Sequence, residues 1–292
     1  MAFRTVVIST HSKIEYSLEY LIFRTVDIEK RIHMDEISTI IFETTNISVT
    51  TRALIELIKR KVNVIFCDEE HNPLAQLNSL YGSHDNPKKI KQQIEWKDDT
   101  KIKVWKAIVE HKILGQAEVL HKYGREKENF RLLEEFSRHV DLDDVTNREG
   151  HAAKVYFNSL FNEGFSRNDN SEINGMLNYG YSLVLSTFNR SISSLGYLTQ
   201  CGIHHKNEFN SFNFSCDLME PFRPFVDAIV SKCYQEKKLK KDKLFGIFNL
   251  QITIDGTNQT LVNAINIYVS SVISVLNCAN NSKLKFPSYD GL

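Results

Sequence analysis

The first eighty residues alternate short apolar runs with turn residues. RTVVIST, YLIFR, ISTIIFE and VNVIFC are each five to seven residues long and rich in Val, Ile, Thr and Phe. Runs of that length and content predict strands. Between the last two, TTRALIELIKRK places Ala53, Leu54, Leu57 and Ile58 at helical spacing, so one amphipathic helix interrupts the strands. Asp68, Glu69, Glu70 and His71 crowd together, but Asn72-Pro73 follows them and the group reads as a solvated turn. Residues 83–97, with Asn86-Pro87 and a run of lysines, have the composition of a linker.

From Asp98 the period changes. Ile102, Trp105, Ile108 and Val109, then Leu132, Leu133 and Phe136, fall at helical spacings. A long apolar helix follows around Tyr179 and Tyr181, then DAIVSKCYQE, and finally LVNAINIYVSSVISVL. The pattern predicts an α+β chain: a small β-rich N-terminal domain with one helix over 1–82, a linker over 83–97, and a larger all-helical domain over 98–292.

Composition narrows the classes. The 292 residues carry 36 basic and 36 acidic side chains, so any nucleic-acid contact must use local patches. Two such patches are present, and a solvated helix face is the competing explanation of each. One is Lys88, Lys89 and Lys91 with the lysines that follow; the other is the run holding Lys237, Lys238, Lys240 and Lys241. Five cysteines without a CxxC pair fit reduced thiols. The N-terminus lacks a signal-peptide pattern and no segment has the length of a membrane span, which predicts a cytoplasmic protein with no membrane partner. Glycine loops of nucleotide hydrolases and the serine-hydrolase elbow are missing from the sequence.

Candidate chemistry concentrates in residues 202–227, where His205, Asp217 and Glu220 sit on a loop and a helical turn. Glu149, in the first turn of a helix begun by Thr146 or Asn147, supplies a further carboxylate. Imidazole plus carboxylates suits Mg²⁺ or Mn²⁺ with positions open to water and phosphate. Two bland alternatives compete. Thr146-x-x-Glu149 and Asp217-x-x-Glu220 both match capping pairs, and Cys201, His204 or His205, and Cys216 could hold structural zinc. His151 and His204 are further candidates for acid–base or phosphate contacts.

The motifs Asn147-Arg148-Glu149-Gly150-His151-Ala152-Ala153, Asn174-Gly175-Met176-Leu177-Asn178-Tyr179-Gly180-Tyr181, Gly202-x-x-His205 and Asp217-Leu218-Met219-Glu220-Pro221-Phe222-Arg223-Pro224 occur in this order. Together they resemble the CRISPR-associated spacer-acquisition integrases, CRISPR-associated protein one. The Asn-rich HKNEFNSFNF segment resembles the branch beside RNA-guided single-effector systems. The resemblance implies a helical catalytic domain and a divalent metal at Glu149, His205 and Glu220, with Asp217, His151, His204 and Arg223 nearby. It also implies double-stranded DNA as substrate, a homodimer, a second, smaller adaptation subunit, and contacts with further CRISPR adaptation and interference proteins. The implied reaction is insertion of short duplexes into a CRISPR array by 3′-OH transesterification. Many relatives place Ser where this chain has Lys206, a further candidate DNA contact, and some carry Asp in place of Glu220. Two other functions stay open: a metal-dependent nuclease acting by hydrolysis, and a non-catalytic architectural DNA-binding subunit.

Overall fold

The computed structural model describes residues 4–80, 82–124, 128–278 and 282–290. The N-terminal part is built from two four-stranded sheets. The first has the order β1-β5-β7-β8, from Arg4–Ile8, Ile37–Phe42, Asn63–Cys67 and Pro73–Gln76. The second has the order β4-β3-β2-β6, from Glu29–His33, Tyr20–Arg24, Ser12–Ser17 and Ile47–Val49. Strands β2, β4, β6 and β8 add to the runs expected from the sequence. SKIEYS and EKRIH carry too many charges to stand out as apolar runs, yet each pairs antiparallel with β3. Helix α1, Thr51–Lys59, is capped by the Thr50 side chain and buries Ala53 and Leu57.

Strands β1, β5 and β7 run parallel, and β5 and β7 are buried on both faces. Alternation divides their side chains. Ile40, Phe42 and Val64 join Ile14, Leu21 and Leu57 in a core of the N-terminal part, whereas Ile41, Ile65 and Cys67 enter the core of the helical part. The sheet is therefore a wall shared by both parts. Polar contacts reinforce it: Asn63 Nδ2 donates to Ser186 Oγ at 3.0 Å, and Gln76 Nε2 donates to Asn63 Oδ1 at 2.7 Å and to the Ser186 carbonyl at 2.8 Å. The cluster at Asp68 is a turn, with Asp68 Oδ1 accepting from the Glu70 and Asn72 amides.

The stretch read as a linker holds helix α2, Asn86–Ile94, and is docked on the helical part. Gln93 is buried; its Nε2 donates to the Leu198 and Cys201 carbonyls, and its Oε1 accepts from the Leu198 amide. Trp96 packs on Tyr197 and Phe214 and donates to Asn277 Oδ1 at 2.8 Å. Proline, lysine and low hydrophobicity gave this segment a linker's composition, while its two buried side chains fix its position.

The helical part comprises α3, Asp98–Tyr123; α4, Glu128–Arg138; α5, Arg148–Leu160; α6, Glu172–Ser194; α7, Asn213–Met219; α8, Arg223–Gln235; and α9, Leu261–Leu276. It is mostly rather than entirely helical, because β9, Gln251–Ile254, and β10, Thr257–Thr260, form a hairpin before α9. Gly180 lets α6 approach α8, since a Cβ there would lie 2.4 Å from Val226 Cγ1. Among the described residues, no helix is long and apolar enough to cross a membrane.

If α2 is a structural clamp, Gln93→Leu removes the side-chain partner of the Leu198 amide and of the Leu198 and Cys201 carbonyls. Hydrogen bonds of this kind contribute about 0.5–1.5 kcal/mol each, so urea denaturation should show a less stable variant. Unchanged stability would contradict the docked helix.

Candidate active site

Helix α3 brings two side chains to this region from one buried stripe. Trp105 and Lys112 lie about two turns apart, with Ile108 and Val109 on the same face. Lys112 is 7% exposed, and its ammonium forms ion pairs with both Glu149 and Glu220. Glu149 belongs to the first turn of α5. Glu220 opens a 3-10 turn, Glu220–Phe222, between α7 and α8, which accommodates Pro221. Carboxylates from separate elements therefore meet at one buried cation.

The capping alternatives resolve locally. Asn147, in the left-handed region at φ 51°, caps α5 by accepting from the Gly150 amide at 3.2 Å. Thr146 instead donates to Asp141, and the Glu149 amide donates to Asp144 Oδ2 at 3.0 Å. The Glu149 side chain turns to Lys112, so the capping-box geometry is not formed. Asp217 lies inside α7 and caps neither of the helical turns that follow it. It is fully buried; Oδ2 accepts from the Ile203 and His204 amides, and Oδ1 from the His205 amide at 3.1 Å.

Asp217 Oδ1 also bonds His205 Nδ1. That bond raises the imidazole's pKa, against the opposing effect of burial, and Glu220 and Glu149 raise it further. One carboxylate thus shapes the loop and orients its histidine, leaving Nε2 as the ring's other nitrogen. Gly202 permits this close packing: a Cβ there would sit 2.4 Å from the His205 carbonyl oxygen and 2.8 Å from Asp217 Oδ2.

Glu220 is 4% exposed. Burial alone would raise its pKa, but Arg223 and Lys112 hold the carboxyl at about 2. Arg223 Nε donates to Oε1 at 2.9 Å, whereas Oε2 is ion-paired to Lys112 without an aligned hydrogen bond. Burial opposes the charge on Lys112 too, and Glu220 with Glu149 more than compensates, raising its pKa. Beneath this layer Arg223 lies over the Tyr181 ring at 4.5 Å, and the hydroxyls of Tyr156 and Tyr181 donate to Asp227 Oδ2 and Oδ1.

The donor set fits a divalent ion in chemistry: two carboxylates from separate elements already share one cation, beside an imidazole oriented by a further carboxylate. Among the described residues, however, no three His, Cys, Asp or Glu side chains form a metal-binding cluster. The Lys112 ammonium lies between Glu149 and Glu220 instead. The proposed zinc ligands take other partners, with Cys201 exposed, Cys216 accepting from Asn210 and His205 held by Asp217.

His204 stacks on Trp105 at 4.2 Å and lies 3.2 Å from Asp143 Oδ1 through Nδ1, an orienting pair that the sequence did not reveal. His151 is exposed on α5. Of the candidate DNA lysines, Lys88, Lys91, Lys206, Lys237, Lys238 and Lys240 are exposed. Two are drawn into the structure: Lys89 pairs with Asp85 at 2.9 Å, and Lys241 donates to the Glu70 carbonyl and to Asn72 Oδ1. The hydroxyl of Tyr289 lies within hydrogen-bond distance of the His111 and Pro221 carbonyls, tying the C-terminal segment to the site.

This two-part α+β architecture is that of a structure titled "Casposase bound to integration product", with a TM-score of 0.76, 18% identity, and coverage of 96% of this chain and 92% of that one. It is shared by a chain of a "Partial Cas6-RT-Cas1--Cas2 complex", with a TM-score of 0.63, 16% identity, and coverage of 96% and 97%. The chain belongs to the Cas1 family, whose model, described as CRISPR associated protein Cas1, matches residues 5–254. It is 30% identical to the CRISPR-associated endonuclease Cas1 of Neisseria meningitidis serogroup C over 98% of this chain and 96% of that protein.

Asp227 provides a pH test of the layer under the site. Burial raises its pKa to about 6, against the two tyrosine hydrogen bonds that lower it. The folded value exceeds the ordinary 3.8, so ionisation opposes folding above pH 6, and that cost disappears as pH falls toward 3.8. The stability difference between Asp227→Asn and the parent should therefore move in the parent's favour by on the order of 3 kcal/mol between pH 7 and pH 4. A pH-independent difference in chemical denaturation would refute the assignment.

Proposed function

We propose that the chain is a metal-dependent DNA endonuclease and integrase that inserts short duplexes into a CRISPR array by 3′-OH transesterification. The observation carrying this proposal is the meeting of Glu149 and Glu220 at one buried cation beside the Asp217-anchored His205. Family membership supports it, as do the relative named an endonuclease and the fold shared with a casposase bound to integration product. Glu149, His205 and Glu220 would hold Mg²⁺ or Mn²⁺. When bound there, the ion supplies positive charge for a scissile phosphate's non-bridging oxygens.

The protein's own contribution is placement. Arg223 holds one oxygen of Glu220, and Asp217 fixes both the 203–205 backbone and the His205 ring. The lysines left exposed supply phosphate contacts, and a 3′-OH held in line makes a dedicated base unnecessary. We assign double-stranded DNA, a second copy of this chain and the smaller Cas2-type subunit as partners. The Cas1–Cas2 complex among the fold neighbours supports the last of these.

A hydrolytic nuclease is the second reading, and the His204–Asp143 pair favours it, since an oriented imidazole can activate water. Labelled duplexes ending in 3′-OH or 3′-dideoxy, offered with a repeat-bearing plasmid and the smaller subunit, separate the two. Transesterification predicts joined products from 3′-OH ends alone. Identical nicking from both ends would establish hydrolysis. Glu149→Gln, His205→Ala and Glu220→Gln should each lower joining by about 10²-fold or more, and Asp217→Asn by about 10- to 100-fold. Full joining by Glu149→Gln or Glu220→Gln would remove those carboxylates from the chemistry.

A further inference from the structure

Lys112 is the buried charge that the proposed reaction does not use. Its ammonium contacts Glu149 and Glu220, the carboxylates assigned to the metal, while Arg223 occupies the other oxygen of Glu220. The four side chains carry two positive and two negative formal charges, so the pocket is already balanced. A divalent ion entering between the carboxylates must expel the ammonium or leave excess positive charge in a largely buried space. Lysine suits expulsion, because its compact charge sits on a flexible four-carbon stem.

We infer that Lys112 is a built-in competitor for the divalent cation, making metal loading depend on a DNA phosphate; this rests on the metal-dependent reading above. Without DNA, Lys112 neutralises Glu149 and Glu220 and keeps metal affinity low. A bound phosphate supplies the missing negative charge and accepts the displaced ammonium. Metal and DNA then strengthen each other's binding by the same factor.

The test measures free Mn²⁺ by electron paramagnetic resonance in titrations of the full chain, with and without a 3′-OH duplex. Lys112→Met and Lys112→Gln should bind Mn²⁺ about tenfold or more tightly than wild type without DNA, because removing a unit charge at contact distance has at least that effect in a protein environment. Both should gain less affinity from the duplex, whereas Lys112→Arg, which retains the charge, should stay near wild type. Their metal-free melting temperatures should fall, and Mn²⁺ should raise them more than it raises wild type.

Neutral variants that bind Mn²⁺ no more tightly than wild type would overturn the inference. If Glu149→Gln still abolished wild-type binding, the metal site itself would survive. No Mn²⁺ binding by any of these proteins, with or without duplex, would remove the metal reading and this inference together. Neutral variants that stay insoluble after refolding in Mn²⁺ would also overturn it, because a displaceable ammonium must be replaceable by the ion.

Discussion

The burial of Lys112 and Glu220, each paired with a partly exposed partner, Glu149 or Arg223, is the constraint around which the helical part is arranged. Desolvating either buried group alone would cost several kcal/mol. Each must therefore arrive with its partner, and the partners come from α3, α5, the 3-10 turn at Glu220–Phe222 and the start of α8. Packing these elements together is consequently the same event as assembling the site. Replacing such an array by apolar side chains is often neutral or stabilising in proteins, so the ion pairs themselves need not add net stability.

A second layer keeps that array in register. The 203–205 loop has little regular backbone bonding of its own, and Asp217 supplies its amides with acceptors while orienting His205. The entrance to the same loop is held by Gln93 from α2, and Tyr289 reaches the carbonyl of Pro221. Segments remote in sequence thus limit how far the histidine and Glu220 can move apart. The parallel sheet does the same on a larger scale, because Ile41 and Ile65 belong to the helical core while Ile40 and Val64 belong to the N-terminal one.

Local patterns in the sequence exposed what depends on neighbouring residues. The four apolar strand runs, α1 and the apolar stretch of α9 follow from length, composition and periodicity. Strands β2, β4, β6 and β8 did not stand out, because charge or shortness conceals a strand whose stability comes from pairing. Glu149, His205, Asp217 and Glu220 were legible as residue types at suggestive spacings. Their division of labour was not, since Asp217's bonds to three backbone amides arise only once the loop closes. Lys112 had one available signal: it is a lysine on the apolar stripe of α3, in line with Trp105, Ile108 and Val109. A lone charge at such a position requires a buried partner, but helical periodicity cannot say which one.

The balance of 36 basic and 36 acidic residues acquires a spatial meaning from the same contacts. Lys112, Arg223, Lys89 and Lys241 spend their charges inside the structure, and Asp217, Glu220 and Asp227 are buried as well. Net charge therefore poorly describes the surface that a duplex would meet. Lys88, Lys91, Lys206 and the exposed lysines at 237, 238 and 240 remain on the outside, with Lys206 beside the histidine loop. The proposed sharing of DNA with other subunits would suit this distribution, in which local contacts position phosphate without a strongly basic surface holding any duplex equally well.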